Sequence, residues 1–184
     1  DLSSDNVFYH VSTDEVYGPI KSGAAKESTL RKPSSPYAAS KTCADNLVQA
    51  WHRTYKLPVL IANCSNNYGP FQFPEKLIPL IIIKAIRGEA LPIYGDGRHK
   101  REWLHVADHC AALEIVLAKG SIGETYNIGS GEIRTNRDVV FEVCDILDQI
   151  HPRTPNTTYA ELISFTEDRP GHDERYALDS TRAR

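Results

Sequence analysis

The 184-residue chain is 41% apolar and 24% charged with a formal net charge of −3, the profile of a soluble globular protein and not of a nucleic-acid-binding surface. Its densest basic patch, Arg98-His99-Lys100-Arg101, is short and followed by Glu102, which suits a single diphosphate better than a duplex. No stretch reaches the roughly 20 apolar residues of a membrane span, and Cys43, Cys64, Cys110 and Cys144 lack metal-ligand spacing, so no membrane, no metal and a reducing, cytoplasmic setting are expected.

In chain order, Val7 to Val11 reads as a buried strand, with the polar run His10-Val11-Ser12-Thr13-Asp14-Glu15-Val16-Tyr17-Gly18 where it would end. Strand ends are where α/β sheets hold their ligands. Pro19 to Pro33 is a polar loop. Ser35 then caps a helix with Pro36 at its first position, running to about Tyr55. Its stripe Tyr37, Ala44, Leu47, Val48 and Trp51 is core or interface. Leu57 to Ala62 is a continuous apolar run, as in a parallel strand buried on both faces, and it delivers Asn66 and Asn67 to the same sheet edge as Thr13.

A helix from Leu80 to Arg87 stops at Gly88, Pro92-Ile93-Tyr94 is a short strand, and Gly95-Asp96-Gly97 is a turn. Trp103 to Val106 is a further strand candidate, followed by a helix from about Ala107 to Lys119. Cys110 and Cys144 fall in apolar helical patterns and are expected in the core. Tyr126-Asn127-Ile128 is a strand ending in Gly129-Ser130-Gly131, which lacks the strand-glycine-helix context of a phosphate loop. Thr135 or Asn136 caps a clear helix with Val139, Val140, Val143, Ile146, Leu147 and Ile150 at helical spacing. Near the end, Asp168-Arg169-Pro170-Gly171-His172 reads as an ordered turn presenting polar groups.

The chemistry concentrates at Tyr37 and Lys41. One turn apart on one helix face, a lysine ammonium about 5–6 Å from a phenol favours the phenolate, so Tyr37 is expected to titrate below its ordinary value and act as a base.

Strand, Ser12-Thr13-Asp14-Glu15-Val16-Tyr17-Gly18, loop, then Tyr37-Ala38-Ala39-Ser40-Lys41 together resemble the catalytic half of the extended short-chain dehydrogenases/reductases. Within that superfamily the chain resembles the nucleotide-sugar 4,6-dehydratases, most closely the branch acting on dTDP-glucose. The likeness extends through Asn63-Cys64-Ser65-Asn66-Asn67-Tyr68-Gly69-Pro70, Pro74 to Pro79, Leu91 to Gly95 and Asp168 to His172. It implies an α/β, NAD(P)-binding Rossmann-like fold: a partial doubly wound parallel sheet plus a small α/β substrate-binding region. Residues 1–70 would be the carboxy-terminal half of the dinucleotide domain, and 71–184 mainly the nucleotide-sugar region, the segments interleaving.

The activity implied is an NAD-dependent lyase reaction on dTDP-glucose giving the 4-keto-6-deoxy sugar of deoxysugar biosynthesis, in a cytoplasmic homodimer. By resemblance, Tyr37 takes the proton of the 4-hydroxyl, Thr13 hydrogen-bonds that hydroxyl, and Lys41 and Asn67 meet NAD. Asp14 serves as acid and Glu15 as base for the elimination, a pair that epimerases of the superfamily replace with small or hydroxyl residues. Asn66 meets the sugar. Lys76, Leu77, Pro92, Ile93, Tyr94, Arg101, Asn136, Asp168, Arg169 and His172 surround the nucleotide diphosphate, with Lys100 and His99 as solvated neighbours.

The glycine-rich strand-helix unit that seats a pyrophosphate is not in the sequence, so the chain is expected to be the middle and carboxy-terminal part of a longer enzyme and inactive alone. A nucleotide-sugar epimerase or decarboxylase, and a non-catalytic nucleotide-binding module, stay open as alternatives. So does the choice between dTDP and UDP.

Overall fold

The computed structural model describes residues 6–168 and 170–184. Its central sheet is parallel, with β1 (Phe8–Thr13) and β6 (Thr125–Ile128) flanking β2 (Val59–Cys64). β2 is buried from Val59 to Asn63, which is why its sequence is apolar without alternation. It starts two residues later than the apolar run suggests because Pro58 offers only its carbonyl, which accepts from the Phe8 N–H. Thr13 and Cys64 are register partners at the carboxyl end of the sheet.

The chain turns there through a short 3-10 helix, Asp14–Tyr17, into the loop and then α1 (Pro36–Tyr55). Ser35 caps α1, its hydroxyl oxygen accepting from the Ala38 N–H at 3.1 Å. The outer face of α1 does not enter a core: Leu47, Trp51 and Tyr55 are exposed.

Two smaller sheets complete the fold. β3 (Asn66–Tyr68) pairs parallel with β5 (Lys100–His105), which pairs antiparallel with β7 (Ile133–Thr135). β4 (Leu91–Tyr94) pairs parallel with β8 (Ile163–Thr166). Strands β3, β7 and β8 are too short and polar to carry a hydrophobic period, and the sequence pattern does not reveal them. α2 (Leu77–Ile86) starts three residues earlier than expected, and α4 (Asn136–Ile150) is capped by Thr135 in a capping box with Asp138.

α2, α4 and β4 enclose a core of Ile81, Leu91, Ile93, Val140 and Leu147, while α3 (Val106–Lys119) packs Val116 against Leu60 and Tyr126. Cys144 joins the first core as expected, but Cys110 is exposed on α3. Ile146 and Ile150 also stay exposed, lining an apolar groove with Ile78, Ile82 and Ile86. Gly129-Ser130-Gly131 is a structural turn: the fully buried Glu102 accepts from the Gly131 and Leu178 N–H groups at 2.8 Å each. No helix among the described residues is long and apolar enough to cross a membrane.

Candidate active site

β1 ends at Thr13, and the turn after it sets three functional groups at different depths. The Thr13 hydroxyl donates to Asp14 Oδ1 at 3.2 Å and accepts from the Glu15 N–H at 3.3 Å. Asp14 is only 4% exposed, and its Oδ2 is buried without a hydrogen-bond partner among the described residues. Burial, followed by the neighbouring charge of Glu15, pushes its carboxyl up to about 7. Glu15 instead lines an open cleft of about 460 Å³, together with Ser35, Tyr37, Asn66, Lys76, Arg101 and the segment Pro170 to Asp173.

Tyr37 enters this cleft from the first turn of α1, beside Thr13. Its phenol is not lowered as the Lys41 spacing suggests. Burial, then Glu15, Cys64 and Asp14, raise it above its ordinary value. Lys41 does not offset this rise; its Nζ donates to the Val11 carbonyl at 2.9 Å.

Arg101, from β5, is buried rather than projecting as a free fork. Its Nη1 donates to the Lys100 carbonyl at 2.8 Å, and its guanidinium lies 4.7 Å from the centre of the Tyr176 ring. Tyr176 donates to Asp173 Oδ2 at 2.5 Å, and Ser34 donates to the same oxygen. Asp173 and Tyr176 line the cleft beside Arg101 and were not singled out in the sequence, since only the folded tail brings them to β5.

Several expected contacts lie elsewhere. Leu77 and Ile93 pack into the α2/α4 core, and Tyr94 is half-exposed outside the cleft lining. Pro92 follows β4 away from the cleft, pairing with Ser164. Asn136 uses its backbone N–H to donate to the His99 carbonyl at 3.0 Å. Asp168 and His172 come together with His99, whose side chain is 12% exposed and is therefore no solvated neighbour. Arg169 lies outside the described residues.

Polar groups cluster at the carboxyl edge of the sheet. Asn67 donates to the Ser65 carbonyl at 3.1 Å and to Cys64 Sγ at 3.4 Å, while its Oδ1, Ser65 Oγ and Ser12 Oγ are buried with no hydrogen-bond partner among the described residues. With Tyr37 and Lys41 they form a donor and acceptor set that fits the polar ribose and nicotinamide end of a dinucleotide.

A family model described as GDP-mannose 4,6 dehydratase matches residues 1–184. The chain is 56% identical over 176 residues to a dTDP-glucose 4,6-dehydratase of Xanthomonas campestris, covering 95% of this chain and 50% of that protein. It resembles the crystal structure of a dTDP-glucose 4,6-dehydratase from Streptomyces venezuelae with NAD bound, at a TM-score of 0.87 and 47% identity over 96% of this chain and 52% of that one. A UDP-glucuronic acid 4-epimerase from Bacillus cereus in complex with UDP-glucuronic acid and NAD is similar at a TM-score of 0.83 and 28% identity, over 97% of this chain and 54% of that one. The chain thus spans about half the length of the proteins it matches.

Proposed function

This chain belongs to the GDP-mannose 4,6-dehydratase family, and on that premise we propose that it is the catalytic and sugar-binding part of an NAD-dependent dTDP-glucose 4,6-dehydratase. The observation that carries this reading is the division of the adjacent pair Asp14 and Glu15: one carboxyl is buried and raised to about 7, the other opens on the cleft beside Tyr37. Two carboxyls in environments that separate their pKa values are what an acid-base elimination needs.

Tyr37, Lys41 and Asn67 would hold NAD, which when bound would supply the hydride acceptor at the start and the hydride donor at the end. Thr13 orients the 4-hydroxyl of the hexose, and Tyr37 Oη would take its proton as the phenolate, a form that the positive nicotinamide ring of bound NAD would favour against the rise that burial and Glu15 impose. Glu15 then removes the proton on carbon 5, now acidified by the neighbouring ketone. Asp14, which holds its proton up to about pH 7, delivers it to the hydroxyl leaving carbon 6, so water departs neutral. Asn66 meets the sugar; Lys76 and Arg101 supply positive charge to the diphosphate.

On this reading residues 1–70 belong to the dinucleotide-binding domain and 71–184 mainly to the nucleotide-sugar region. Activity belongs to a longer, cytoplasmic protein that also carries a pyrophosphate seat. The exposed Leu47, Trp51 and Tyr55 of α1 would be covered in a homodimer. Light scattering of that longer protein should give twice the monomer mass, and a monomer at micromolar concentration would refute the dimer.

An epimerase of the same fold would retain Tyr37 and Lys41 but has no use for a buried acid at Asp14. Asp14→Asn in the full-length protein distinguishes the two. General-acid assistance is typically worth ~10²–10⁴-fold in rate, so loss of water from the 4-keto intermediate should become limiting. Rapid-quench mass spectrometry with dTDP-glucose should then catch that intermediate before the mass falls by one water. Turnover of the variant at the unmodified rate would refute the assignment.

A further inference from the structure

We propose that two fully buried asparagines, Asn63 of β2 and Asn127 of β6, are positioning residues for the elimination, clamping the two ends of the short 3-10 turn that carries Asp14 and Glu15. The inference rests on the reading of those two carboxyls as the acid-base pair. Asn63 and Asn127 are register partners in the parallel sheet, both at 0% exposure. Partners on neighbouring strands present their side chains to the same face. Neither lines the cleft, so any effect they have on the reaction passes through the turn.

Asn63 holds the entry. Its Nδ2 donates to the Thr13 carbonyl at 3.1 Å and to Asp45 Oδ2 at 3.3 Å. Both partners are acceptors, so the bridge needs a group with two N–H donors, which a side-chain amide supplies and a carboxylate or apolar side chain does not. Without it the Thr13 carbonyl would face the Asp45 charge. Asp45 is set in turn by His10 and Arg31. Thr13 is thereby anchored at its backbone, and its hydroxyl reaches Asp14 Oδ1 and the Glu15 N–H from a fixed place. Asn127 holds the exit. Tyr17, the last residue of the turn and 3% exposed, donates from its hydroxyl to Asn127 Oδ1 at 2.8 Å. Burial holds the Tyr17 phenol above its ordinary value, so it stays a donor. Asn127 is itself fixed, its Nδ2 donating to the Ala25 carbonyl and its backbone N–H to Glu27 Oε1, each at 2.9 Å.

A single 3-10 turn has few hydrogen bonds of its own and poor geometry in those it has, so the direction of its side chains is set from outside. Rotation of this turn about its axis would expose Asp14 and carry Glu15 away from Tyr37. Misplacing a positioned group by about 1 Å can cost ~10²-fold in rate. The competing reading is that the two asparagines serve folding alone, as satisfied polar groups inside the sheet.

The test is the kinetics of the full-length protein with dTDP-glucose in Tyr17→Phe, which removes one hydroxyl and keeps the ring, and in Asn63→Ala, each assayed well below its own melting temperature. Turnover should fall at least ~10-fold while the calorimetric Kd for dTDP-glucose stays within about threefold. The loss of rate on raising the pH should begin at lower pH, since a less buried Asp14 releases its proton sooner. In an Asp14→Asn background, Tyr17→Phe should cost less than about threefold, because the clamp acts through the group already removed. A turnover and pH profile in Tyr17→Phe equal to those of the unmodified protein, or full additivity with Asp14→Asn, would overturn the clamp even if the melting temperature drops. Should Asn63→Ala fail to fold, Tyr17→Phe decides the outcome, since it leaves Asn63 and Asp45 in place. A slowed Asp14→Asn beside an unchanged Tyr17→Phe counts against the clamp alone, whereas an Asp14→Asn that turns over at the unmodified rate refutes the acid-base reading and the clamp with it.

Discussion

Asp14 and Glu15 are neighbours in sequence but not in environment: the Asp14 side chain turns inward beneath Thr13 while Glu15 faces the cleft with Tyr37. A 3-10 turn at the end of a parallel strand produces this split, because successive side chains there point in different directions around a tight helix.

The buried carboxyl gives a pH signature. Folded Asp14 keeps its proton to about pH 7, whereas the unfolded chain releases it near 3.8. Between these values the folded state binds the extra proton, so stability falls as pH rises through the window and levels off above it. Denaturant unfolding at pH 5 and pH 8 should show this slope, and Asp14→Asn should reduce it by roughly 2–3 kcal/mol at ~1.36 kcal/mol per pH unit. An identical slope in the variant would show that Asp14 is ionised in the fold. In the full-length enzyme the same group should make the elimination slow as pH rises above about 7.

Tyr37→Phe in the full-length protein should abolish product formation while leaving dTDP-glucose affinity within a few-fold, because the other phenol lining the cleft, Tyr176, commits its hydroxyl to Asp173. Lys41→Met should lower turnover less, since its ammonium rests on the Val11 carbonyl. Comparing kcat with a calorimetric Kd separates the two effects. Turnover by Tyr37→Phe within tenfold of the unmodified enzyme would remove the tyrosine from the proton transfer.

Gly129→Ala should be strongly destabilising. Its Cβ would stand 2.2 Å from Glu102 Oε1 and 3.2 Å from Ser180 Oγ. Glu102 cannot retreat without releasing the Gly131 and Leu178 N–H groups it satisfies. A loss of about 2–4 kcal/mol in chemical denaturation is expected; a loss below ~0.5 kcal/mol would mean that the turn has room to yield.

Asp45, at 0% exposure on α1, lies 3.2 Å from His10 Nε2 and 3.3 Å from Arg31 Nη2, and accepts from Asn63 Nδ2 at 3.3 Å. The same Asn63 amide donates to the Thr13 carbonyl at 3.1 Å, so one carboxylate joins α1, β1, β2 and the loop just behind the cleft. Asp45→Ala leaves a partly buried arginine unpaired and should cost about 3–5 kcal/mol. A midpoint in urea unchanged from the unmodified protein would show these contacts to be dispensable.

Local pattern determined much of this protein. The apolar runs ending in hydroxyls and carboxylates marked β1 and β2, but only β2 is buried on both faces, where a strand has no choice but to be apolar; Phe8 and Val11 of β1 stay exposed, against the buried strand expected there. Ser35-Pro36 marked the start of α1, Tyr37 and Lys41 stood out by their one-turn spacing on it, and the roles of Thr13, Asp14 and Glu15 came from the family resemblance of the run that ends β1. Tertiary structure decided the rest. Strands β3, β7 and β8 exist because distant backbone edges meet, Asp173 and Tyr176 reach Arg101 only when the tail folds over β5, and His99 meets Asp168 and His172 across the β4/β8 pairing. The direction of the Tyr37 shift was decided there as well, since i,i+4 spacing gives only the distance a lysine can span. Which partner Lys41 takes depends on the Val11 carbonyl that the sheet places beside it.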